Sequence, residues 1–389
     1  MDSASTSLEN HRRIYTPCLL CGGSDFVAIA APSDIAAQQC FLEQFHRRRL
    51  AENHAAEPHR ASLADRVSFT HNYETYIVAC CACGLLCRNP HPPAKAVTDA
   101  YVDEYYAPSH LAEEFESQLN WARTKIPLIA RHLAIHPAPR LIEVGSFVGG
   151  FLAAAQEHGW DVVGVDPGEA VVRFCRERGL SVFQGTLEEF PRPQGGIDAV
   201  VIWNTFDQLP DPRPILTTIT RYLRPDGLLV IRIPHGRCFR SAMEMAKAHH
   251  WLRKPLYTGL AWNNLLSFPY LYGYELTTLD RLVAEFGLVR EAVYPDTLMA
   301  VAVTEMKRWV PLEERLVKGL CRLTTTLAQR LGDSSLVSAT WLDVYYRSPT
   351  GPLGPSEPVE PALGDCPVGA HGVLHHTTPG HNAAHERYA

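Results

Sequence analysis

The chain has 389 residues with 36 basic and 42 acidic side chains, a net charge of −6. That length accommodates two or three domains, and that charge excludes a global basic field able to recruit nucleic acid. No run approaches the ~18–20 apolar residues of a membrane span, and the opening MDSASTSLENHRR has no apolar signal core, so neither nucleic acid nor membrane is expected as a partner and the chain reads as cytoplasmic.

Eleven cysteines in a chain of this size, without a secretion signal, point to metal or free thiols rather than to disulfides. Residues 1–90 read as a zinc-binding lobe. Cys18-Leu-Leu-Cys21-Gly22-Gly23 is matched, 58 residues on, by Cys80-Cys-Ala-Cys83-Gly84. Each C-x-x-C forms a knuckle whose glycine eases the turn. Two knuckles supply the four soft ligands of a closed tetrahedral site, so a zinc on Cys18, Cys21, Cys80 and Cys83 is structural rather than catalytic. The stretched spacing leaves free thiols as the alternative. Residues 25–31 and 67–78 read as strands flanking a helical insert, 33–66. Cys81 and Cys87 compete as ligands, but Cys80 is the residue that makes C-x-x-C with Cys83.

Residues 91–135 read as a helical connector, with apolar positions at helical spacing over 94–102 and 111–133. The stretch 141–166, LIEVGSFVGGFLAAAQEHGWDVVGVD, then reads as strand, glycine turn, helix, strand. Leu141, Ile142 and Val144 form the apolar run of a strand buried on both faces. Gly145 and Gly149 let a ligand approach the backbone, and the helix start exposes N–H groups to an anionic group. Asp166 ends the second strand, where parallel sheets bind ligands, and its carboxylate can accept from two vicinal hydroxyls. Glu143 suits a cationic ligand better than a pyrophosphate, and the E-x-G-x-x-x-G spacing departs from the dinucleotide fingerprint.

This stretch resembles motif I and the following acidic position of class I S-adenosylmethionine (SAM)-dependent methyltransferases. IDAVVIWNTFDQLPDP at 197–212 and LRPDGLLVIRIP at 223–234 resemble that family's fourth strand with its loop and its approach to the fifth. The resemblance covers residues 136–305 and implies an α/β fold with a seven-stranded Rossmann-like sheet, closed by an antiparallel pair at 288–293 and 298–304. It implies SAM as cofactor, on Glu143, Gly145, Gly149 and Asp166, with Thr186 and Leu187 at the adenine, Asn204 ending the fourth strand, and Tyr105 as a cover beside Tyr101 and Tyr106. Thr186 stands where the family often has an acid. A zinc lobe ahead of this core, with CGLLCRNPHPP at the passage between them, is similar to certain small-molecule methyltransferases, sugar C-methyltransferases included. The implied acceptor is a sugar or a natural-product intermediate.

Methyl transfer from a sulfonium is an in-line displacement in which alignment and desolvation do most of the work; a base is needed only for a protonated acceptor. Residues 235–277 follow the fifth strand and concentrate six aromatics between Tyr257 and Tyr274, the pattern of a substrate lid. His235 is the first choice of base, with a backbone-satisfied histidine as the alternative. Asp207 is the second, in a loop where relatives often carry Glu-His. Residues 306–348 read as a helix, 312–331, and a strand, 341–346. The tail 349–389, with seven prolines, six glycines and five histidines, reads as disordered. Two other readings stay open: an RNA or protein methyltransferase that recognises its target through the zinc lobe, and a non-catalytic zinc- and SAM-binding scaffold. The oligomeric state has no signature in the sequence.

Overall fold

The computed structural model describes residues 16–50, 74–102, 108–133, 138–300, 306–332, 336–348 and 373–374. Its N-terminal lobe is an antiparallel sheet of β1 (Phe26–Ala30), β2 (Tyr76–Cys80) and β3 (Leu86–Asn89). Helix α1 (Pro32–Arg49) lies between β1 and β2 in sequence. Proline in its first turn fits a position that needs no N–H partner, and Asp34 accepts the Ala31 N–H at 3.0 Å. The remainder of the expected insert, 51–66, lies outside the described residues.

Helices α2 (Ala94–Val102) and α3 (Pro108–Ala130) lead into the core. There β4 (Arg140–Val144), α4 (Gly150–Glu157), β5 (Asp161–Asp166), α5 (Glu169–Glu177), β6 (Val182–Gln184), β7 (Ile197–Ile202), α6 (Arg213–Tyr222) and β8 (Leu223–Pro234) alternate. The strands from β4 to β8 pair in parallel. Their side chains have no wet face: Leu141, Val201 and Val230 pack with α3 and α4, whereas the neighbouring Ile142, Val200 and Ile231 pack with α6 on the other side. Such runs are stable only where a sheet is covered on both faces.

The chain continues through α7 (Gly236–Ala248), α8 (Arg253–Trp262), β9 (Tyr272–Gly273), α9 (Leu276–Ala284), β10 (Val289–Asp296), α10 (Val310–Arg330) and β11 (Trp341–Arg347). The large sheet has seven strands in the order β10-β11-β8-β7-β4-β5-β6. After β4 the chain winds outward to β6, then returns to the other side of β4 at β7. The crevice between the carboxyl ends of β4 and β7 is therefore the topological switch point where an α/β sheet takes its ligand. Val373–Leu374 (β12) pair with β1; the rest of the expected tail lies outside the described residues.

Two expectations are corrected. The seventh strand is Trp341–Arg347, paired antiparallel with β8 from Trp341–Pro234 to Arg347–Leu228. It is not 298–304, of which Leu298–Ala300 form no strand and 301–304 lie outside the described residues. The core thus includes a strand expected beyond it, and α10 is an insertion between the last two strands. The presumed lid, in turn, is built into the lobe: Tyr272 and Gly273 pair with Cys87 and Leu86 of β3. The fully buried Arg88 donates to the Pro269 carbonyl at 2.6 Å and to the Ser267 carbonyl. The expected aromatics pack inward, Phe268 on Phe239 (5.5 Å between centroids) and Tyr274 on Phe206 (5.4 Å).

Between β8, β10, β11 and α3 sits a buried ionic cluster. Arg232 donates to Asp343 (2.5 Å), Asp296 (3.0 Å) and the Thr297 carbonyl (2.8 Å). Lys125 donates to the same two carboxylates at 2.5 and 2.6 Å. Burial alone would push the Asp296 carboxyl up, but Arg232 and Lys125 outweigh it and hold it well below the usual range. Its contribution is therefore complete above the unfolded value of about 3.9 and is lost as pH falls through the depressed folded value. Arg232→Met, which leaves the buried Asp343 on Lys125 alone and the partly buried Asp296 on Lys125 and the more distant Arg322 (3.7 Å), is expected to cost about 3–5 kcal/mol. The check is denaturant unfolding at neutral pH and again below pH ~4, where the gap between variant and wild type should narrow.

Candidate functional site

A cavity of about 410 Å³ opens at the switch point. Its floor is the turn after β4. Gly145 has φ +71°, and a Cβ there would meet Thr205 Oγ1 at 2.3 Å. Gly149 has φ +76° and caps α4, and a Cβ there would meet Leu180 Cδ1 at 2.6 Å. Both positions therefore need the left-handed backbone and the bare α-carbon that glycine supplies. Gly145 lines the cavity and Gly149 shapes the turn from beneath.

Two buried carboxyls face this floor. Asp166 ends β5 and accepts from the Phe147 N–H (2.8 Å) and the Gly168 N–H (2.9 Å), one on each oxygen. Burial raises its pKa, and those two N–H groups partly offset the rise. Each oxygen keeps a lone pair for a ligand hydroxyl. Glu143 in β4 is 3% exposed, and burial together with the Asp166 charge pushes it well above the usual carboxylate range. Its Oε2 has no hydrogen-bond partner among the described residues. A buried acceptor in that state calls for a cationic donor.

Thr186 and Leu187 also line the cavity, after the β6 strand end, and the Thr186 N–H is held by Glu189 at 2.8 Å. Asn204 lines it in a left-handed conformation, φ +55°. Its side-chain carbonyl accepts from Arg232 Nε at 3.1 Å and its backbone carbonyl from Gln208 Nε2 at 2.6 Å. Tyr105 lies outside the described residues; Tyr101, from the same group of tyrosines, lines the cavity and donates its hydroxyl to Gln208.

Neither candidate base lines the cavity. His235 is wholly buried where β8 turns into α7. Its backbone N–H donates to the Thr340 carbonyl (3.0 Å) and its Nδ1 to the Ala339 carbonyl (3.1 Å). Asp207 is 1% exposed in a 3-10 turn beneath the loop. What the sequence reading missed is the far end of the cavity. Phe45, His46 and Arg49 come from α1, His110 and Glu114 from α3, and Trp262 from α8. Of the six aromatics assigned to the lid, Trp262 lines the cavity. Arg49 lies 3.6 Å over the Phe45 ring and holds Glu313 through two bonds of 2.6 and 2.8 Å, so this wall is fixed. The helical period of α1 was legible, but its docking against a core two hundred residues away had no local signal.

The second cluster is formed by Cys18, Cys21, Cys80 and Cys83, whose sulfurs all lie within 4.8 Å of one another. Cys18–Cys83 and Cys21–Cys80 are 3.4 and 3.5 Å apart, close to the ~3.8 Å edge of a tetrahedron with Zn–S near 2.3 Å. The two knuckles match: the Gly22 N–H donates to the Cys18 carbonyl (2.8 Å) and the Gly84 N–H to the Cys80 carbonyl (2.9 Å). Hydrogen bonds from Cys18 and Cys83 pull Cys80 down to about 2, while Cys18 is pushed up to about 12 by its bond with Cys80. One thiolate resists a second beside it, which is the electrostatic condition that a divalent cation relieves. Cys81 and Cys87 stand outside the cluster.

Residues 115–291 match the family model of a methyltransferase domain. The C-methyltransferase NovU of Streptomyces niveus is 24% identical over 131 residues, 32% of this chain and 31% of NovU, so the match spans about a third of that relative. Among solved structures, a SAM-dependent methyltransferase from Thermotoga maritima aligns with 61% of this chain and 90% of its own at 17% identity and a TM-score of 0.35. One from Archaeoglobus fulgidus aligns with 61% and 97% at 15% identity and a TM-score of 0.38. Residues 115–291, a little under half of the chain, are thus the part that matches a methyltransferase domain.

Proposed function

We propose that the chain transfers a methyl group from SAM to a small-molecule acceptor, a sugar or a natural-product intermediate, and that its cysteine cluster holds one structural zinc. One observation carries the reading: the buried carboxyls of Glu143 and Asp166 share the floor of a cavity that runs on to a histidine- and aromatic-lined end. Glu143, raised in pKa and short of a donor, fits an ammonium group; Asp166 fits a pair of ribose hydroxyls. Thr186 and Leu187 offer a backbone edge and an apolar contact to an adenine. When bound, SAM supplies an activated sulfonium methyl. The cavity volume lies within the ~300–1,000 Å³ of small-ligand pockets. NovU bears the name of a C-methyltransferase, which favours a carbon acceptor that must surrender a proton.

The candidates to receive that proton are the lining histidines His46 of α1 and His110 of α3, with Glu114 of α3 also in the lining. Arg49 and Trp262 wall this end, exclude water and orient the acceptor. His235 then acts on the fold rather than on the acceptor. The zinc, held by Cys18, Cys21, Cys80 and Cys83, would secure the two knuckles to each other and so keep β2 and β3 in place under the lid segment.

Three outcomes test these assignments. Asp166→Ala and Glu143→Gln should each weaken SAM binding by about 1.5–3 kcal/mol, tenfold or more. In the wild type, affinity should fall as pH drops through the raised Glu143 value, because protonation removes the ammonium's partner, and Glu143→Gln should abolish that slope. Calorimetry across pH reads both, and an unchanged affinity in either variant sinks the placement. Metal analysis of untagged protein should find about one zinc per chain, lost in the Cys18→Ser/Cys83→Ser variant together with the lobe's protection from protease; a metal-free, fully protected lobe refutes the zinc. Finally, with labelled SAM and a panel of sugars, peptides and RNAs, turnover should appear on a small molecule. His46→Ala or His110→Ala should lower it about 10²–10⁴-fold and remove the acid limb of its pH profile. His235→Ala should lower the melting temperature and leave the shape of the profile intact.

A further inference from the structure

Helix α10 presents its apolar face outward. Its buried positions are Val310, Glu314, Lys318 and Thr325. Lys318 is held there by Glu314 and by the Met299 carbonyl at 2.7 Å. Trp309, Leu312, Leu316, Leu320, Leu323, Leu327 and Leu331 are instead between 47% and 87% exposed. Their spacing, 3, 4, 4 repeated twice, is an 11-residue period. At about 3.67 residues per turn it keeps every member on one face of a nearly straight helix. A helix that buries an ion pair and shows six leucines to water has its energetics reversed unless something covers those leucines.

The charges beside the stripe say what covers it. Arg308, Arg315 and Arg322 recur every seven residues along one edge, Arg330 follows, and all four are exposed, Arg322 also lying 3.7 Å from Asp296. The helix's two acids face elsewhere: Glu313 is engaged by Arg49 and Glu314 by Lys318. A second α10 laid on this face would bring no unengaged carboxylate to this edge. Antiparallel pairing sets arginines against arginines, and parallel pairing sets them against the edge that carries Thr324 and the already engaged Glu313. Helix α8 packs on α10, and just before it Trp251 is 77% exposed, with Arg253 and Lys254 exposed beside it in sequence.

We propose that this face of α10 rests on an anionic lipid surface. The leucines enter the boundary between headgroups and acyl chains, Trp309 sits at the interface, and the arginines reach lipid phosphates. No described helix is long and apolar enough to cross a membrane; an interfacial helix lies in the plane of the bilayer and needs no such length. The proposal stands apart from methyl transfer, but it touches the same site, because the Lys318 anchor beneath the stripe also holds Met299 of the cavity wall.

The test is co-sedimentation of the full-length, zinc-loaded protein with phosphatidylcholine vesicles, with or without phosphatidylglycerol. Binding to the anionic vesicles should exceed binding to the neutral ones by about tenfold or more and should fade at high salt. Leu316→Ser/Leu320→Ser/Leu323→Ser should release the protein. Arg308→Gln and Arg315→Gln should each weaken binding about fivefold. All these side chains are exposed, so an unchanged melting temperature will certify that the variants fold. Protein left in the supernatant with both vesicles overturns the proposal. So does equal binding to both, and so does a stable dimer by light scattering that the leucine variant disperses, which would assign the face to a second copy.

Discussion

Arg232 is the constraint on which the ligand edge of the sheet depends. Taking a guanidinium and two carboxylates out of water costs several kcal/mol per ion, and the cluster repays that only because nearly every donor has a partner. Asp343, Asp296 and the Thr297 carbonyl occupy one side of Arg232, and Nε is left for Asn204. Trp121 and Trp341 place their rings 4.9 and 5.0 Å from the guanidinium carbon and keep water out. From β8, Arg232 reaches partners in β11, at the end of β10 and just after β7, with Lys125 closing the cluster from α3. One side chain thereby ties the antiparallel margin of the sheet to a residue that lines the cavity, and holds that residue in a left-handed backbone.

At the floor the logic is inverted. Glu143 and Asp166 are buried without a countercharge among the described residues; burial raises both, and the Asp166 charge adds to the cost of ionising Glu143. Burial of this kind without full pairing lowers stability and is tolerated where a ligand completes the site. The backbone shows the same pattern. Phe147 and Asn204 adopt positive φ although neither is glycine, and each is pinned, Phe147 by Asp166 and Asn204 by Arg232 and Gln208. The fold is almost completely paired in the Arg232 cluster and incompletely paired at Glu143.

Much of this was legible in the sequence because its signals are local. The glycine turn, Glu143 and Asp166 lie within one strand–turn–helix–strand unit, and the two C-x-x-C knuckles carry their own turn chemistry. What failed depended on distant pairing. Trp341–Tyr346 read correctly as a strand, but nothing nearby placed it between β8 and β10, because α10 separates it from the strand it pairs with. That misplacement also misdirected His235. At the end of β8 it seemed to face the ligand edge, yet β11 runs alongside and the carbonyls of Ala339 and Thr340 draw it inward. Aromatic density after β8 suggested a pocket, whereas those rings fill the seam between lobe and core, where large apolar side chains contribute most to burial.

That seam also fixes the far wall of the cavity. Asn263, wholly buried at the end of α8, accepts through its side chain from the Leu298 N–H and the Thr340 hydroxyl, and through its backbone carbonyl from Trp341 Nε1 at 2.8 Å. Gln38 of α1 accepts the Ser267 N–H at 2.8 Å, and Arg88 of β3 holds the same turn through two carbonyls. A flap that opened at each turnover would have to break these buried bonds together, and each lost partner would leave a polar group unsatisfied at a cost of about 1–3 kcal/mol. The segment is therefore a fixed wall, and the wall is shared: α1 from the lobe, α3 from the connector and α8 from the insertion meet around one space. Selection by a preformed cavity comes from its shape, so the ordering cost of whatever ligand it takes is met in the packing of lobe, connector and core around it.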